Sequence, residues 1–249
     1  MGFSRFGFGR RLARTESVDF EHWSEPQLVL ECDSEDGPDT QIYGAGVDIY
    51  EGIYLAMIWI YREGGDGRID TQLATSRDGI RWSRVGDRAT WLELGDEDTW
   101  EGGMVRSVER VIRRGNTLYI YYCGVHGAHT GPNRGKVTRK HPVQSGLLTQ
   151  RRDGFVSLTA EEKQGTFTTV PFVLNGTQLS INADASDGVI RVEVLDELDR
   201  VVSRSQTISG DHLDLRTVWD ENDLETSKGR QIRLRFTLRS AHLYSYWIN

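Results

Sequence analysis

The sequence repeats itself. Ser17-Val18-Asp19-Phe20-Glu21-His22-Trp23 returns 59 residues later as Ser76-Arg77-Asp78-Gly79-Ile80-Arg81-Trp82, and both stretches obey Ser-x-Asp-[Phe/Gly]-x-x-Trp. A fixed internal period marks a chain built from repeated supersecondary units. A fainter third stretch, Arg151-Arg152-Asp153-Gly154-Phe155, keeps the Asp-Gly and loses the Trp. The motif has a mechanical reading. Asp caps the backbone amides of a tight turn, and Gly accepts positive φ. The Trp then opens the next strand. This predicts the outer hairpin of a β-propeller blade.

The stretches between the copies also correspond. Tyr43-Gly44-Ala45-Gly46-Val47 is followed by the apolar run Gly52–Tyr61 and then by Thr71–Thr75. Gly102-Gly103-Met104-Val105-Arg106-Ser107 is followed by Thr117–Tyr122. Each unit holds about four strands, the content of one blade. The glycine-rich segment reads as a short innermost strand, where backbones crowd the axis. The apolar run reads as a middle strand covered on both faces. With 27 glycines and β-branched, aromatic apolar runs, no segment has the pattern of a helix.

From about Gly165 the repeat gives way to clean alternation. Ile190, Val192 and Val194 share one face, and so do Ile232, Leu234, Phe236 and Leu238, with arginines opposite. Strands with one wet face suit a β-sandwich. Asp184–Gly188 and Leu198–Arg200 read as turns between strands, and Leu243–Ile248 as the closing strand. The polar run Thr159–Gly165 separates the two regions, so blades are expected over 1–160 and a sandwich over 161–249. The expected fold class is all-β.

These residues resemble the C-terminal half of bacterial proteins similar to glycoside hydrolase family 32, within the five-bladed propeller glycosidases of families 32, 43 and 68. The resemblance lies in Phe20–Pro26, Pro38-Asp39-Thr40 with Tyr43-Gly44, Tyr50–Leu55, Ala74–Gly79, Trp100–Val105, Arg151–Leu158 and Ile181–Asp184. It implies partial five-bladed-type β-propeller blades followed by a C-terminal β-sandwich. Five blades of roughly 55 residues need about 275 residues, and about 160 precede the sandwich here. The resemblance therefore implies that the early blades, with the usual Asp nucleophile, are missing and that the C-terminus is complete. Either the chain is a truncated product, or another chain completes the propeller, in which case a homo-oligomer is expected.

Charge and composition narrow the partners. The net charge of −7 suits a polyanion poorly, so nucleic acid is not expected as the partner. No apolar run reaches about 18 residues, and no membrane span is expected. Residues 1–10 lack the apolar core of a signal peptide, which reads as cytoplasmic if the start is native. Cys32 and Cys123 are too few for a disulfide scaffold, no Cys/His spacing matches a metal site, and no cofactor is expected. The aromatic content, 10% of residues, fits β cores first and carbohydrate stacking second.

Glycoside hydrolysis needs two carboxylates flanking the scissile bond. Asp39 lies 16 residues after Trp23 and Glu101 lies 19 after Trp82, each just before a glycine-rich strand. Glu101 stands between Trp100 and Gly102, a flat ring beside a tight backbone, a setting suited to a general acid. Asp39 then becomes the substrate-binding or tuning carboxylate. Trp100, Tyr43, His126 and His129 are candidate carbohydrate contacts. The alternative is structural: both carboxylates cap strand ends, both histidines are solvated, and Trp59 and Tyr61 are core. Three readings stay open: glycosidase, non-catalytic carbohydrate binder, and structural or assembly protein.

Overall fold

The computed structural model describes residues 9–130 and 143–249. The leader reading concerns residues that lie mostly outside this range. The chain divides into two compact units after Gln150. No helix among the described residues is long and apolar enough to cross a membrane.

In the first unit β1 (Leu12–Arg14) and β2 (Gln27–Leu30) pair antiparallel. An antiparallel meander follows: β3 (Thr40–Tyr50), β4 (Ile53–Arg62), β5 (Ile69–Ser76) and β6 (Trp82–Arg84). A second sheet segment holds β7 (Met104–Arg114), β8 (Thr117–Val125) and β9 (Gln144–Arg151). One parallel bridge, Ile69 to Met104, joins the two. These are successive propeller blades. The middle strand is covered on both faces: Leu55, Ala56, Met57, Ile58, Ile60 and Tyr61 are all buried. The glycine-rich innermost strands are long, not short, at 11 residues each. Pairing continues past the glycines to Tyr50 on β3 and Arg114 on β7.

The two repeat copies fold through the same hydrogen bonds. Ser76 Oγ accepts from the Gly79 amide (2.9 Å), and Asp78 Oδ1 accepts from the amides of Ile80 (2.9 Å) and Arg81 (2.8 Å). Ser17 Oγ accepts from the Phe20 amide (2.7 Å), and Asp19 Oδ1 from those of Glu21 (2.9 Å) and His22 (2.8 Å). Those backbone donors hold the Asp78 carboxyl down at about 2. Gly79 and Phe20 occupy the same left-handed position, with φ of 70° and 62°. Trp82 opens β6, its Nε1 donating to the Gly79 carbonyl (3.2 Å), while Trp23 precedes β2 and is 53% exposed.

The third stretch makes a different turn. It has no serine at the first position, and Asp153, not the glycine, takes positive φ (56°). It is fastened within the second unit. The fully buried Asn182 donates from Nδ2 to the Arg152 carbonyl (2.6 Å) and accepts at Oδ1 from Arg151 Nη2 (2.7 Å). Arg151 and Arg152 lie over the rings of Tyr244 and Trp247, each at 4.3 Å.

The second unit contains β10 (Leu158–Ala160), β11 (Gly165–Thr168), β12 (Phe172–Val173), β13 (Leu179–Leu195), β14 (Val201–Arg204), β15 (Ile208–Arg216), β16 (Gln231–Arg239) and β17 (Ala241–Ile248). Leu158–Ala160 pair with β17, so this short strand goes with the sandwich. The first half of β13 lies between β15 and β17, and its second half between β14 and β16. One strand thus serves both layers. Asp184–Gly188 is therefore no reversal between strands but a bend within one, where the register shifts between Ala185 and Ile190. Asp184 Oδ1 accepts from the Ser186 amide (3.0 Å) and hydroxyl (2.7 Å) there. Asp196–Arg200 does reverse the chain, with Asp199 at φ 59°. The alternating apolar sets of β13 and β16 are buried, and Phe236 stacks on Phe167 at 4.8 Å.

Two stability outcomes follow. Gly79→Ala has space for its Cβ, the nearest atom being 3.5 Å away, but strains the backbone, and should cost about 1 kcal/mol. Phe20→Gly relieves the equivalent strain and should shift the urea midpoint the other way. Phe236→Ala empties the sandwich core and should cost about 3–5 kcal/mol in the same measurement.

Candidate functional site

The six candidate residues gather at one end of the blades. β3, β5 and β7 begin there, and β4 and β8 end there, as the pairs Thr40 with Arg62, Ile69 with Tyr61 and Met104 with Val125 show. Asp39 precedes β3 and Tyr43 lies on it. Trp100 and Glu101 precede β7. His126 and His129 follow β8. Arg68, in the turn before β5, reaches Glu97 at 3.1 Å and ties that turn to the segment carrying Trp100.

Glu101 is held from across the blade. Its Oε2 accepts a 2.6 Å hydrogen bond from the Tyr122 hydroxyl. The Trp100 ring stacks on Tyr122, centroids 5.7 Å apart and planes 20° from parallel. Gly124 makes this possible: a Cβ there would lie 2.2 Å from the Trp100 ring. His126 Nδ1 lies 2.8 Å from the Thr99 carbonyl, which can only accept, so Nδ1 carries the proton. Burial pushes the Tyr122 phenol up to about 12, helped by its hydrogen bond to Glu101 and by that residue's charge.

Tyr43 and His129 belong to a second group. His129 meets Tyr43 edge-on at 4.8 Å and Tyr61 at 5.0 Å. The Arg10 guanidinium lies over both tyrosine rings, at 5.1 and 5.6 Å. The Tyr61 hydroxyl is 2.9 Å from Thr130 Oγ1, and the His129 amide donates to the Gly67 carbonyl (2.8 Å). Asp39, half-buried at φ 57°, accepts at its carbonyl from the Glu63 amide (3.0 Å). Its carboxylate sits against Gly64, where a Cβ would lie 2.4 Å from Oδ2. Among the described residues, no three His, Cys, Asp or Glu side chains group to hold a metal.

The structure adds Tyr122, Arg10 and Asp70 to the candidates, and sets Tyr61 beside them as well as in the core. Tyr61 is fully buried, yet its ring meets the candidates Tyr43 and His129. Asp70 is a carboxylate in an otherwise uncharged strand, which was the available signal. It pairs with Arg62 at 2.5 Å, its Oδ1 is buried without a partner, and burial raises its pKa against the pull of Arg62. A cavity of about 560 Å³ lies apart from these groups, lined by Leu30, Trp82, Arg84 and Arg88 among others. Arg88 there bridges Asp33, Glu35 and Asp36 at 2.7–3.0 Å, an arrangement that staples the turn after β6 to the loop after β2.

No protein-family model matches the chain, and no curated protein matches it. Among solved structures it is similar to an N-acetylgalactosamine deacetylase from F. plautii in complex with blood group B trisaccharide. That match has 18% identity over 57% of this chain and 42% of the other, with a TM-score of 0.45. A structure described as a glycoside hydrolase matches at 17% identity over 56% of this chain and 35% of the other, TM-score 0.40. The family 32 β-fructofuranosidase of Bombyx mori, a mutant in complex with sucrose, matches at 9% identity over 93% and 71%, TM-score 0.27. The chain thus spans less than half the length of the first two.

Spectrophotometric titration tests the Glu101 contact. One phenol should ionise near pH 12, and Glu101→Gln should lower that value. Because the folded value is raised, Tyr122 adds stability that is complete below the ordinary phenol value of 10.0 and lost as pH climbs towards about 12.

Proposed function

We propose that this protein is glycoside-hydrolase-like and acts on carbohydrate at the strand-start end of its blades. Glu101 is the general acid, and Asp39 binds substrate and tunes the acid. The carrying observation is the Glu101–Tyr122 hydrogen bond beneath the stacked Trp100 ring. It fixes one carboxyl oxygen and leaves the other for a leaving-group oxygen, beside a flat apolar face of the kind a pyranose ring stacks on. Asp39 occupies the matching strand start on the preceding blade, which supports a two-carboxylate arrangement. The resemblance of the sequence motifs to the family 32 group points the same way, and family 32 itself is the finer form of the proposal.

A second reading is binding without hydrolysis. The Tyr43–Tyr61–His129 group capped by Arg10 favours it, because aromatic rings with a cation form a recognition surface that needs no proton transfer.

A panel of aryl glycosides and oligosaccharides separates the two. For the enzyme, wild type releases product and Glu101→Gln loses roughly 100-fold or more in kcat with binding kept. Asp39→Asn should weaken binding and turnover together. Binding with no turnover in wild type selects the second reading. Failure to bind any glycan overturns both.

A further inference from the structure

Arg106 lies on β7, half-buried, with its guanidinium 5.9 Å from the centre of the Trp59 ring. Among the described residues, every other arginine that is not exposed reaches a carboxylate: Arg14, Arg62, Arg68, Arg84, Arg88, Arg151, Arg152, Arg233 and Arg235 all do. Arg106 reaches none, and its buried Nε–H finds no acceptor. The Nε1–H of Trp59 is also buried without one. A half-buried cation with no carboxylate beside it and an unpartnered Nε–H carries a cost that an anionic ligand would offset. The missing partner is an anion that none of the described residues supplies.

The location says what brings it. Trp59 and Tyr61 stand two residues apart on β4 and so share a face. Tyr61 meets Tyr43 and His129, so Arg106 lies along the same face as the aromatic group of the candidate site. Trp59 is seated there by Gly44, where a Cβ would fall 2.7 Å from its ring. A planar guanidinium beside an aromatic face matches a carboxylate carried on a sugar ring: the fork takes the carboxylate oxygens, and the indole takes the ring. We propose that the carbohydrate bound here is acidic, a uronic-acid residue whose carboxylate pairs with Arg106. This inference rests on the carbohydrate reading above and names its substrate class.

Calorimetric binding of galacturonic- and glucuronic-acid oligosaccharides, each beside its methyl ester, tests it. The ester keeps the shape and removes the charge. Wild type should bind the acids about 10- to 100-fold more tightly than the esters, in line with a charged hydrogen-bonded pair. Added salt should erode the preference, a readout on wild type that does not depend on any variant folding. Arg106→Gln should abolish it. Equal binding of acid and ester in wild type, or a preference that survives Arg106→Gln, overturns the inference while leaving the carbohydrate reading in place. Failure of wild type to bind these probes and every neutral glycan of the panel overturns both.

Discussion

Between the innermost strands of the two blades, and again where the start of β7 meets the end of β8, there is room for backbone and little else. A Cβ on Gly46 would sit 2.7 Å from the Val108 carbonyl oxygen, and one on Gly103 would sit 2.3 Å from the Gly127 carbonyl carbon. This closeness lets Gly103 accept from the Ile69 amide and donate to the Val125 carbonyl (3.2 and 3.0 Å), which brings the starts of β5 and β7 to the end of β8. The candidate residues converge because those strand ends converge. Trp59 over Gly44 and Trp100 over Gly124 are further cases of the same economy: an absent side chain admits a large ring.

The parts of the fold legible in the sequence are those fixed by local chemistry. The Ser-x-Asp turn closes its own hydrogen bonds within four residues, so its two copies could be recognised and placed as hairpins without knowing anything distant. The alternation of β13 and β16 is likewise visible, because a strand with one wet face must repeat every two residues. What escaped was decided at long range. Asp184–Gly188 carries the residues of a reversal, but β15 pairs on both sides of it, with β17 before it and β16 after it, so the chain bends and continues. The Arg151–Phe155 stretch keeps Asp-Gly, yet it is fastened by Asn182, 30 residues along from Arg152.

The same division holds at the site. Spacing from each repeat tryptophan places Asp39 and Glu101 at strand starts, because the strand order of a blade is regular. The partner of Glu101 is not visible that way. Tyr122 reaches it through the pairing of β7 with β8, whose register shifts between Ser107 and Val111. Arg106 reads as one more charged residue in the sequence; its lack of a partner exists only once every neighbour has been placed. Asp70 is the intermediate case, a lone carboxylate whose strand is plain in the sequence and whose burial is not.

The second unit depends on a 17-residue strand that pairs with four others, and with both layers. Such a strand behaves like a shared seam. Tension drawn along β13 loads the ladders of β14, β15, β16 and β17 together in shear, so no single layer can peel away first. The sandwich should therefore yield to force in one step, and its mechanical strength is set by the seam rather than by either face.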